Sequence, residues 1–147
     1  MSEYLDDAKE ELKRVEHQIY VSLKYTRTVD VLLNVMKRMI DAYDLMFEAL
    51  LEISKEKGLI ENIPGTPKER AFLLKDIYKE AKVHENIDLH QMLRKIVKAS
   101  FDRENEYRRH VTMITYIDGK QELINIDIIT QYYHMQKDFF SYLDKIQ

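Results

Sequence analysis

The stretch from Val29 to about Lys57 constrains this chain more than any other. Leu32, Leu33, Met36, Met39, Ile40, Tyr43, Met46, Phe47, Leu50 and Leu51 recur there at i, i+3, i+4 and i+7, and neither glycine nor proline interrupts them. A helix this long, with an apolar face this wide, must be surrounded by other elements. A chain of 147 residues has room for one domain with a proper core and too little for two. With only 3 Gly and 2 Pro, little of the chain is left for turns. These points predict a mostly α fold: a four- or five-helix up-down bundle spanning residues 1–147 as a single domain.

The flanking patterns supply the neighbours. From Ser2, a candidate N-cap, to Tyr25 the residues Leu5, Ala8, Leu12, Val15, Ile19 and Leu23 form one helical stripe. Thr26-Arg27-Thr28 is a candidate break with Thr28 as a new N-cap. Residues 2–57 therefore read as either one long helix or two. Gly58 suits the end of the long helix. Thr66-Pro67-Lys68-Glu69 reads as cap, N1 proline and N3 acid, opening a third helix that carries Phe72, Leu73, Leu74, Ile77, Tyr78 and Ala81. Asn86 or Asp88 is expected to cap a fourth helix that carries Leu89, Met92, Leu93, Ile96, Val97, Ser100 and Phe101.

Past residue 110 the period changes. Val111 to Ile117 is β-branched and aromatic, Asp118-Gly119 follows, and Lys120 to Ile126 resumes an extended pattern. A two-residue Asp-Gly loop is the strongest short hairpin signal, so a β-hairpin is expected over about 111–126, with Met113 opposite Ile124. Asp127 would then cap a last helix bearing Ile128, Ile129, Tyr132, Tyr133, Phe139, Phe140 and Leu143.

Composition excludes several classes of function. With no cysteine there is no disulfide or thiolate chemistry, which agrees with a cytoplasmic protein. A net charge of -3 gives no global basic field, so any nucleic-acid role needs a local patch. No apolar run approaches a membrane span, and the acidic start Met1-Ser2-Glu3-Tyr4-Leu5-Asp6-Asp7 does not read as a signal peptide. His17, His84, His90, His110 and His134 are scattered, and no Glu-x-x-His occurs. Asp41, Asp44 and Glu48 lack a second carboxylate row to hold Mg²⁺ with them. Neither a metal nor any other cofactor is expected.

Chemistry is legible in one place, Arg103-Glu104-Asn105-Glu106-Tyr107-Arg108-Arg109-His110. If the helical pattern continues to its end, Arg103 and His110 lie two turns apart on one face. A permanent cation beside an imidazole that titrates near neutrality suits phosphodiester chemistry. Arg108 and Arg109 next to Tyr107, with Tyr116, Tyr132 and Tyr133 not far away in sequence, suggest stacking on bases. The plain alternative is a solvated helix end held by pairs such as Glu104 with Arg108.

A helical bundle with an Arg-x4–6-His motif before its final helix resembles the HEPN superfamily, found in prokaryotic toxins and nucleotidyltransferase partners. The motif here is Arg103 to His110, at the upper limit of that spacing. Ile126-Asp127-Ile128-Ile129-Thr130-Gln131-Tyr132-Tyr133 opens the final helix. Two features depart from the pattern: Glu104 follows the arginine where the family typically has a small polar residue, and the hairpin is longer than expected. The resemblance implies a metal-independent endoribonuclease or a toxin–antitoxin component. Arg103 would hold phosphate, His110 would act in proton transfer, and Asn105 and Tyr107 would support them. It also implies a homodimer whose two motifs converge, with RNA and a nucleotidyltransferase as partners. The competing expectation is a non-enzymatic helical module for protein interaction or dimerisation.

Overall fold

A computed structural model describes residues 2–147 and places the long apolar run in α3, Val29–Glu56. The Thr28 side chain caps its start by accepting the Val31 N–H at 3.3 Å. Its end is a turn at Lys57 followed by Gly58 at φ +75°, a conformation that glycine adopts without strain. Along α3, Met36, Met39, Tyr43, Met46 and Leu50 are fully buried.

Four long helices enclose that face. The first is α1, Glu3–His17, which runs through a π-helical turn, Gln18–Ser22, into the short α2, Leu23–Tyr25. It packs antiparallel to α3, so that Ser2 meets Glu52 and Glu11 meets Arg38. The break at residues 26–28 therefore makes two helices of residues 2–57 rather than one. α4, Pro67–Ile77, begins as its sequence predicts, with the Thr66 hydroxyl oxygen accepting the Glu69 N–H. It stops short of Ala81, because Tyr78 turns extended.

α5, Ala81–Ile96, begins earlier than expected. Asn86 and Asp88 are not caps but lie inside the helix. The Asn86 side chain donates to the Lys82 carbonyl and accepts from the Tyr43 hydroxyl at 2.5 Å, so it serves the core. α5 also ends early, and Ser100 and Phe101 lie beyond it. The last helix, α6, is Ile126–Ile146. Its cap is Asn125, whose oxygen accepts the Ile128 N–H at 2.9 Å, rather than Asp127, which lies in the first turn. α6 runs parallel to α3, with Gln136 donating to the Met39 carbonyl, and antiparallel to α1, with the Tyr133 hydroxyl donating to Glu16. The result is the expected up-down bundle.

The hairpin forms as β2, Thr112–Ile117, and β3, Lys120–Ile124, with Met113 opposite Ile124. Asp118 and Gly119 both take positive φ, +52° and +80°. A third strand, β1 at Phe101–Glu104, pairs antiparallel with the other side of β2. Met113, Thr115, Ile117 and Ile124 are buried and face the bundle. The apolar stripes of α3 and α6 are buried within this one chain. Among the described residues, no helix is long and apolar enough to cross a membrane.

Two predictions follow from this packing. Gly119→Val should lower the unfolding free energy by about 1–3 kcal/mol in urea titrations, through backbone strain alone, because nothing lies within 4 Å of a side chain placed there. The second concerns alkaline pH. Burial holds the Tyr43 phenol well above its ordinary pKa, and burial together with the Glu16 carboxylate does the same for Tyr133. In the unfolded chain both phenols ionise near pH 10, so above that pH the folded state binds more protons than the unfolded one. The contribution of these two phenols to stability should be level below about pH 10 and fall as pH rises beyond it. The fall should be smaller in Tyr43→Phe and Tyr133→Phe when each is compared with its own stability at neutral pH.

Candidate nucleic-acid interface

The segment from Arg103 to His110 is not helix. Arg103 sits in β1 opposite Met113, and residues 105–110 form a turn in which Asn105 and Tyr107 have φ of +57° and +66°. A helix cannot pass through two left-handed residues. Pairing with β2 satisfies the backbone of residues 101–104 instead. The two-turn spacing that would put Arg103 and His110 on one face therefore does not apply.

The eight residues divide into two working halves. In the first, the Arg103 guanidinium donates to Asp30 Oδ1 at 3.0 Å and to Glu106 Oε1 at 3.2 Å, and it lies 5.1 Å from the centre of the Phe101 ring. The hydrogen bonds to Asp30 and then to Glu106 push its pKa still higher, so it is a fixed cation. The other oxygen of Glu106 accepts the Val29 N–H at 3.0 Å, one of the unpaired donors at the start of α3. The Tyr107 N–H donates to the Arg27 carbonyl at 2.6 Å. These contacts clasp the turn to the break between α2 and α3. Within the clasp Arg103 is a strut.

In the second half the side chains face water. Tyr107 is 77% exposed. The Arg108 N–H bonds the Asn105 carbonyl, and its carbonyl accepts the Val111 N–H. Its guanidinium has no hydrogen-bond or ion-pair partner among the described residues. Arg109 donates to Asp127 Oδ1 at 2.9 Å. The His110 carbonyl accepts from the Thr112 hydroxyl at 2.9 Å, and its ring likewise has no partner among the described residues. Asn105 contributes backbone geometry, with no side-chain hydrogen bond among the described residues.

The clasp sets this half beside residues that sequence reasoning treated only as a helix boundary. Tyr25, at the end of α2, is 79% exposed, and Lys24 Nζ lies 6.0 Å from its ring centre. A signal for it was present, since Tyr20 and Tyr25 fall outside the stripe Val15, Ile19, Leu23. The other tyrosines considered for stacking part company. Tyr133 is buried and bonded to Glu16, Tyr132 is half-buried, and Tyr116 is exposed on the sheet, where Gln121 donates to its hydroxyl.

The remaining carboxylates have separate structural partners. Asp44 pairs with the buried His90 at 2.9 Å, and Glu48 pairs with Arg70. Burial, then Glu11 and Asp44, raise the pKa of Asp41, against the pull of Arg38. Among the described residues no three metal-ligating side chains gather.

If the clasp holds the turn, Glu106→Ala should cost about 1–3 kcal/mol in urea unfolding, since it strips the Val29 N–H and Arg103 of an acceptor at once. Glu104→Ala, on the exposed end of β1, should change stability by less than about 0.5 kcal/mol. No protein-family model, no curated protein and no solved structure matches this chain, so the likeness to the HEPN superfamily rests on its own residues.

Proposed function

We propose that this chain is an RNA-binding helical module, and that its ligand is single-stranded. The observation that carries this is Tyr107. A large aromatic ring is held in water, in a left-handed conformation that costs about 1 kcal/mol or more, by a backbone bond to Arg27. The backbone bond serves the clasp, but the ring itself makes no hydrogen bond among the described residues and stays in water. Tyr25 stands exposed two residues before Arg27, with Lys24 Nζ 6.0 Å from its ring centre, and Arg108 follows Tyr107 in the turn. Exposed rings among unpaired cations are what a single strand needs: π-faces for its bases and positive charge for its phosphates.

The endoribonuclease reading that comes with the HEPN likeness asks Arg103 to hold a phosphate, and two carboxylates already occupy that side chain. Binding therefore stands ahead of cleavage. His110 keeps cleavage in view as a second reading, because its ring is exposed and unpaired among the described residues.

Fluorescence anisotropy with a labelled single-stranded RNA tests both. Tyr107→Ala should weaken binding about tenfold, the loss of one stacked base. Arg108→Ala should weaken it several-fold and lower the salt slope by about one. Phe72→Ala, an exposed ring on α4, should leave it unchanged. Absence of binding at low salt, or equal losses in all three variants, would overturn the reading in favour of a protein-interaction module. If the strand is also cut, the cutting should survive EDTA and fall about 10²-fold in His110→Ala.

A further inference from the structure

Beside the Tyr107 turn lies a groove of about 400 Å³ that shares only Lys24 with the reading above. It runs between the π-helical turn, α2 and the start of α6. Its rim carries Tyr20, Lys24, Arg27, Arg109, Asp127 and Thr130, and the buried Ile19 and Leu23 form part of its floor. Its size is that of a small-molecule site. Three cations meet one carboxylate, and that carboxylate is engaged by Arg109, which leaves a net of two positive charges. A phosphodiester carries one negative charge, whereas a terminal phosphomonoester carries close to two near neutral pH.

The other groups suit a nucleoside. Tyr20, half exposed, offers a ring face. The Thr130 hydroxyl donates to the Ile126 carbonyl at 2.7 Å, so its oxygen is left to accept. Asp127 has a second oxygen, and both it and the threonine oxygen suit ribose hydroxyls. Arg109 keeps guanidinium donors beyond the one given to Asp127. The groove adjoins the display, because Arg109 follows Arg108 and the Arg27 carbonyl holds Tyr107.

We propose that this groove receives the phosphorylated terminal nucleotide of an RNA strand whose following bases lie on Tyr107 and Tyr25. Lys24, Arg27 and Arg109 hold the phosphomonoester, and Tyr20 stacks on the terminal base. The inference deepens the RNA-binding reading and rests on it.

The test compares one labelled RNA sequence in three forms: 5′-phosphate, 3′-phosphate and hydroxyl at both ends. One phosphorylated form should bind about tenfold tighter than the hydroxyl form, and which form does so identifies the end. Lys24→Met should abolish that preference, while weakening the hydroxyl form no more than Arg108→Ala does. Tyr20→Ala should reduce it. Adenosine monophosphate should displace the phosphorylated strand at concentrations where inorganic phosphate does not, and equal potency of the two would overturn the nucleoside part. If all three forms bind equally, and Tyr107→Ala weakens them all, the groove assignment is wrong and the RNA reading stands. If adenosine monophosphate binds and Lys24→Met removes it while no strand binds, the groove stands as a mononucleotide site and the RNA reading falls. If nothing binds, both are overturned.

Discussion

The start of α3 needs hydrogen-bond acceptors, and that need organises one whole end of the molecule. The first N–H groups of any helix lack partners within it. Here Thr28 supplies one acceptor from its own segment, and Glu106 supplies another from a turn 77 residues further along. Arg103 neutralises Glu106 and Asp30 together, so two carboxylates tolerate each other at a site that already favours negative charge. The Arg27 carbonyl, left over at the break, takes the Tyr107 N–H. Without these contacts the turn after β1 would lose its ties to the start of α3.

The bundle was legible because its signals are local and periodic. The α3 face, the Thr66-Pro67-Lys68-Glu69 start and the Asp118-Gly119 turn each state their structure within a few residues. The misses share a different cause. Asn86 resembles a cap in sequence, and only Tyr43, 43 positions away, makes it a core residue. Phe101 and Arg103 continue a helical rhythm, and only β2 turns them into a strand. Asn125 and Asp127 are both good caps, and the end of β3 at Ile124 decides between them. In each case a long-range partner overrode a local preference.

The candidate site was half legible for the same reason. The sequence marks out Arg103 to His110 as unusual but does not say which residues hold and which display. Arg103 looks like the phosphate ligand because it is an arginine near a histidine. In the fold its fork is filled by Asp30, which lies outside the motif, and by Glu106, which lies inside it. Tyr25 and Lys24 are the reverse case, since their place outside the apolar stripe marks them as exposed and only the clasp puts a second surface next to them. A strained, exposed tyrosine is visible only once φ and burial are known together.

Local charge supports binding at this end. The chain is acidic overall, with a net charge of -3. Lys24, Arg27 and Arg108 add positive charge here with no ion-pair partner among the described residues, so the rest of the surface is more acidic than the net value suggests. A local patch of this kind attracts a polyanion and biases its approach before any contact is made. The clasp contributes to this bias. By tying Asp30 and Glu106 to Arg103, it keeps two carboxylates from offsetting the cations a few residues away. The same arginine that a catalytic reading would spend on substrate thus works as the charge that leaves its neighbours available.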